Sequence, residues 1–225
     1  MTSVPRPKQR TEALRERGVA SALAVLADDG VAGLTTRAVA GRANASVPAI
    51  YEVFGDKAGL VREVFFEGFR MLGDELSKVA PVADPLDDLR RVCHAFRQFV
   101  LANPVLAQTM FSRPFVDFAP TADDNKAGLG VSKIFVQRTR AAVDADLLVG
   151  DPRDIAHLFF ALVEGLAAAE SANRLGGSKQ SVDRRWRLGL DALIHGLEPS
   201  KPIGAEPSKR RRRTTGTRAG TRRRA

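Results

Sequence analysis

Residues 34–60 read LTTRAVAGRANASVPAIYEVFGDKAGL. The stretch spells two short helices around a tight turn, followed by the start of a longer one. Thr35 and Thr36 can cap the first helix, because a hydroxyl accepts the free backbone N–H groups of an opening turn. Val39, Ala40 and Ala43 give that helix a small apolar face. Asn44 falls where the turn needs a residue tolerant of positive φ. Ser46 caps the next helix, and Pro48 stands in its first turn, where a missing N–H costs little. Val47, Ile50 and Phe54 recur at three and four residues and line one stripe. Gly55 then ends the helix and Asp56 caps its successor. Helix, turn and helix at this spacing is the motif that sets a second helix in the major groove of DNA.

Upstream, helical spacing of Val19, Ala22, Leu23 and Leu26 predicts a helix over residues 11–29, with Gly30 and Gly33 breaking the chain before the motif. Downstream, Leu60, Val64, Gly68, Leu72 and Leu76 predict a long helix to about residue 79, closed by Pro81 and Pro85. Further helices are expected over residues 86–103, 104–111, 126–147, 153–175 and 182–197, with a loop at 112–125. No alternation persists for a strand's length. The chain therefore reads as all-α, about nine helices in all. It divides into an N-terminal arm (1–10), a helix-turn-helix head (11–56), a larger helical body (57–198) and a tail (199–225).

The formal net charge of +9 belongs entirely to that tail. Of the 35 basic and 26 acidic residues, ten and one respectively lie in residues 199–225, and the remaining 25 of each sign cancel. Five basic residues in succession, Lys209 to Arg213, sit among few apolar ones, so disorder is expected there. The high isoelectric point thus speaks for the tail alone, and the helix-turn-helix stands independently of it. The one cysteine, Cys93, allows no internal disulfide and fits a reducing compartment. Without an apolar leader in MTSVPRPKQR, and without a run of eighteen apolar residues, neither export nor a membrane span is expected. A cytoplasmic location, on the nucleoid when DNA-bound, is the simplest expectation.

The segment LTTRAVAGRANAS-VPAIYEVFGDKAGL resembles the N-terminal domain of the TetR family of transcriptional regulators. The likeness covers about residues 11–70, and beyond it rests on helical layout and length. It is carried by Thr-Thr before an Ala-rich helix, Ala-x-x-Ser, Ile-Tyr-x-x-Phe, Lys57 and Leu60. The resemblance implies a dimeric, ligand-responsive regulator, most simply a repressor of a palindromic operator. It places Val47, Pro48 and Ala49 on the base-facing surface, lets Arg37 reach a base, and sets Thr36, Tyr51 and Lys57 on phosphates. Those chemistries suit the roles: hydroxyl, phenol and ammonium for phosphate, apolar atoms for thymine methyls, a guanidinium for guanine. Two features depart from the family's habit. Asn44 stands where Gly is common, and the second helix carries no Arg, Lys, Gln or His, so DNA shape and Arg37 are expected to carry much of the specificity.

In the body, Phe96, Phe99, Met110, Phe111, Phe115, Phe118 and Phe159 suggest a pocket for a small apolar effector, with core packing as the plainer alternative. His94, His157 and Cys93 are candidates to orient such a ligand, though no pair has metal-ligand spacing, and no cofactor is expected. By family analogy the last two long helices form the dimer interface, with Ala161, Gly165, Ala168 and Ala169 permitting close approach and Trp186, Leu190 and Leu193 supplying bulk. The chain lacks a Walker loop, a Gly-x-Ser-x-Gly elbow, a His-Glu-x-x-His and a Cys-x-x-Cys, which argues against an enzyme. An architectural DNA binder driven by the tail, with no effector, remains the alternative. If the tail engages phosphates, removing residues 199–225 weakens binding to all duplexes alike and flattens the dependence of affinity on salt. Equal salt slopes for the full and truncated chains would contradict that role.

Overall fold

The computed structural model describes residues 7–112, 115–116 and 118–199, with side chains from Thr11 onward. Among these residues there are nine α-helices and no strand: α1 (Pro7–Gly33), α2 (Thr36–Arg42), α3 (Val47–Phe54), α4 (Lys57–Ser77), α5 (Pro85–Ala102), α6 (Pro104–Phe111), α7 (Leu129–Asp144), α8 (Pro152–Ser171) and α9 (Lys179–Leu197). The tail beyond Pro199 and the first six residues, expected as flexible, lie outside the described residues. Residues 7–10, assigned to the arm from sequence, open α1 instead.

The head closes over a core of Ala22, Val25 and Leu26 from α1, Leu34, Val39, Ala40 and Ala43 around α2, and Ile50 and Phe54 from α3. Gly30 interrupts α1 with φ at 70°, where the sequence places the break, and one further turn follows before α2. Gly18 lies against the Phe54 ring so closely that a Cβ there would stand 2.7 Å from its Cε2 and Cζ. Only a residue without a side chain permits that approach.

α4 leaves the head and enters the body as a single helix. It buries Leu60, Val61, Val64 and Phe65 at one end and Leu72 and Leu76 at the other. α1 packs on α2, α3, α4 and α6, so a body helix touches the head directly. Gly68 is the close approach between α4 and α6: a Cβ there would meet Met110 Sδ at 2.7 Å and Leu106 Cδ1 at 3.1 Å. Arg15 of α1 pairs with Glu63 of α4 at 2.6 Å, and Arg62 with the buried Asp124 at 3.1 Å.

The expected loop over 112–125 and the expected helix start at residue 126 give way to a 3-10 turn, Asp124–Gly128, before α7. Asp124 accepts bonds from Thr121 N–H and Oγ1, both 2.9 Å, and these turn the chain ahead of its helical period. α7 and α8 also stop short of their expected ends. Asp146 and Asn173 take positive φ, 54° and 55°, just past each helix, and reverse the chain before the apolar pattern runs out.

Two buried charge clusters tie the body. Arg138 of α7 pairs with Asp88 of α5 at 2.9 Å and donates to the Val79 carbonyl at 2.8 Å, fixing the end of α4. Arg97 of α5 makes a bidentate bond to Glu170 of α8 (2.8 Å twice), lies 2.7 Å from Asp183 of α9, and stacks over Trp186 at 5.1 Å. Trp186 Nε1 donates to Glu170 at 2.6 Å. Hydrogen bonds from Lys179 and then Arg97 lower the Asp183 carboxyl from 3.8 to about 2. A depressed carboxylate contributes its stability above its ordinary pKa and loses it as pH falls through the folded value. Trp186 is the single tryptophan, so its emission should report α9 loosening as pH falls from 3.8 toward 2. Asp183→Asn should lack that step, and matching acid profiles for the two proteins would contradict the assignment.

Candidate DNA interface and body cavity

The helix-turn-helix is set by its caps. Thr35 Oγ1 accepts the Ala38 N–H at 3.1 Å, Ser46 Oγ accepts Ala49 N–H at 3.2 Å, and Asp56 accepts Gly59 N–H at 2.7 Å. Asn44 turns the chain with φ at 49°, and Gly55 ends α3 with φ at 78°. Because Thr35 alone caps α2, the Thr36 hydroxyl is left to bond Tyr51 Oη at 3.3 Å. That bond joins α2 and α3 on their outer side, where Tyr51 is 46 % exposed.

Ile50 and Phe54 point α3 inward, and Pro48 and Tyr51 lie on its exposed side. Val47 and Ala49 are half-buried at the edge, with Val47 packed on the core. Arg37 is exposed, and its guanidinium has no hydrogen bond or ion pair among the described residues. Lys57, half-buried at the first turn of α4, carries its ammonium over the Phe115 ring at 5.6 Å. The surface therefore gathers a phenol, a hydroxyl and a free guanidinium around a short apolar ridge.

In the body, a cavity of about 410 Å³ opens between α5, α6 and α8. Of the residues expected to line a pocket, Phe96 and Phe111 border it. Phe99 lies on another side of α5 and borders a groove of about 650 Å³ beside α4, rimmed by Asp74, Glu75 and Lys78. Met110 packs under Gly68, Phe159 is fully buried core, Phe115 lies under Lys57, and Phe118 meets the Phe65 ring at 5.6 Å. Helical spacing selects apolar faces; it does not say which of them border empty space. His94 and His157 are exposed, and His157 Nδ1 lies 2.8 Å from the Arg153 carbonyl. Cys93 is buried, and burial pushes its thiol up to about 12, which leaves it unreactive at neutral pH. Sequence reasoning missed Glu164 and Arg174 of the cavity wall. The signal was present: Glu164 is the one acidic residue in the apolar run IAHLFFALVEGLAAA of α8.

Phe111 links this cavity to the head-bearing helix. Its ring meets Phe96 at 5.8 Å and Phe160 at 6.1 Å on the body side, and Phe69 of α4 edge-on at 5.7 Å. On α8, Ala161, Gly165 and Ala168 are exposed in line with Leu158, which is 50 % exposed, and Ala168 also borders the cavity. On α9 Leu188 is 66 % exposed and Leu193 half-buried. Trp186 and Leu190, expected to supply bulk to a partner, are buried inside this chain, on the side of α9 where Trp186 donates to Glu170 of α8 and Asp183 pairs with Arg97 of α5.

The fold thus joins a capped helix-turn-helix head to a helical body through α4. The family model described as bacterial regulatory proteins, tetR family, matches residues 19–64. A second, described as tetracyclin repressor-like, C-terminal domain, matches residues 89–193. The chain belongs to the TetR family of transcriptional regulators.

Among solved structures, a protein of unknown function from Rhodococcus sp. RHA1 is 26 % identical over 83 % of this chain and 96 % of its own, with a TM-score of 0.70. The TetR family transcriptional regulator PfmR from Thermus thermophilus is 18 % identical over 81 % of this chain and all (100 %) of its own, at 0.59. A TetR variant from Acinetobacter baumannii AYE in complex with minocycline is 22 % identical over 80 % and 93 %, at 0.56. These last two share the fold. No curated protein matches the chain.

Proposed function

We propose that this protein is a ligand-responsive repressor that binds a palindromic operator as a homodimer inside the cell. The observation that carries the reading is the outward surface of the head: Pro48 and Tyr51 on α3, with Thr36 bonded to Tyr51 and a free Arg37 beside them. In this reading Pro48, Ala49 and the rim of Val47 meet bases, Arg37 reads a guanine edge, and Thr36, Tyr51 and Lys57 hold phosphates. One short helix reads only a few base pairs, so two-fold pairing supplies the rest. The exposed stripe of Leu158, Ala161, Gly165 and Ala168, with Leu188 on α9, supports a two-fold helix–helix contact, since small residues admit close approach and the leucines offer apolar area.

The minocycline complex of the Acinetobacter protein supports a small-molecule effector here, and the cavity beside Phe96 and Phe111 is our site for it. Occupancy that displaces Phe111 presses on Phe69, and α6 as a whole bears on Gly68 through Leu106 and Met110. Both contacts fall on α4, whose first turn carries Lys57. A ligand preferring one arrangement of α6 and α4 thus shifts the population of head spacings, and a half-site mismatch costs affinity.

The double substitution Tyr51→Ala with Lys57→Glu should lower affinity for a duplex selected by the wild-type protein about a hundredfold, through a lost phosphate contact and a reversed charge. The helical circular dichroism and melting temperature should hold. Undiminished binding by a folded variant would reject the interface.

A further inference from the structure

The cavity between α5, α6 and α8 carries a chemical preference of its own. Two charged residues border it, Glu164 and Arg174. They are not equivalent. Arg174 is exposed in the turn after α8 and free to extend into water. Glu164 is half-buried in the middle of α8, and its carboxylate has neither a hydrogen bond nor an ion pair among the described residues. Burial alone raises its pKa above the usual carboxylate value, so the protein offers no compensating donor. Elsewhere in the body half-buried and buried acids are answered: Glu170 by Arg97 and Trp186, Asp88 by Arg138, Asp124 by Thr121 and Arg62. Among the described residues Glu164 is the half-buried acid left without an ion pair, and it stands at a cavity that also touches α6.

The rest of the wall completes the pattern. Phe96 and Phe111 present aromatic surface, Val100 and Ala167 apolar surface, and Gln108 a neutral amide. A carboxylate beside aromatic rings in a largely apolar cavity favours a cation with an organic body, which gains a desolvated ion pair and ring–cation attraction together. A neutral apolar molecule would leave the carboxylate further desolvated and still unpaired, and an anion would be repelled.

We propose that the cavity binds an amphipathic organic cation, an amine or quaternary ammonium on an aromatic or alkyl body, with Glu164 as its counter-charge. The inference rests on the regulator reading for the cavity's role as effector site, but the chemistry of binding is testable apart from DNA. The probes are 4-phenylbutylamine, 4-phenylbutanol and 4-phenylbutyrate, titrated calorimetrically into the full chain at pH 7. The amine is expected to bind about tenfold or more tighter than the alcohol, and the carboxylate weaker than both. Glu164→Gln should bring the amine to the alcohol's affinity and leave the alcohol unchanged, while Glu164→Asp should keep part of the preference. Melting curves show that each variant is folded. No binding of the amine, an amine no tighter than the alcohol, or a preference that survives Glu164→Gln would overturn the proposal. Displacement of bound duplex by the amine is read separately. Binding through Glu164 with the duplex undisturbed sustains the cation site and counts against the effector reading; release by the alcohol alone, with no amine preference, does the reverse.

Discussion

The burial of Ile50 and Phe54 against α1 is the constraint from which the rest of this structure follows. With those two side chains inward, the opposite side of α3 has to carry Pro48 and Tyr51 outward. The fit is tight enough that Gly18 cannot carry a side chain without moving the Phe54 ring. The turn at Asn44 and the caps at Thr35 and Ser46 set the direction in which α3 leaves α2. The bond between Thr36 and Tyr51 then links the two helices on the solvent side. A short helix of this kind has little stability alone, so its orientation is a property of the head's core.

The head is not free of the body. α4 belongs to both, and α6 packs on α4 at Gly68 and on α1 as well. The cavity lies on the far side of α6, with Phe111 shared between its wall and Phe69. Close-packed contacts of this sort transmit small displacements. The polar clusters at Arg138 and Arg97 tie α5 to α7 and to α8, so in the proposed mechanism α6 and the near end of α4 are the elements that respond.

The local features were legible in the sequence because they depend on single residues and short spacing. Ser46, Asn44, Gly55 and Asp56 each do at their own position what their chemistry dictates. The helices of the body were legible as elements but not in their packing. A repeat at three and four residues names an apolar face; it does not name the neighbour that covers it. Trp186 and Leu190 read as interface bulk, and turned inward because Glu170 of α8 accepts the indole N–H. Of seven residues read as pocket lining, Phe96 and Phe111 border the cavity, since core and cavity wall share one composition. Glu164 is visible in the sequence as the lone acid of an apolar run, but its lack of a partner is a property of three-dimensional packing.

In the proposed reading, two such heads held at fixed spacing by paired bodies read one duplex. Selection of bound DNA from a random pool by the purified protein is the decisive measurement. The expected result is an inverted repeat whose half-sites lie about 34–36 Å apart or at a multiple of that distance. Enrichment of no common sequence, with uniform coating of every duplex, would contradict it.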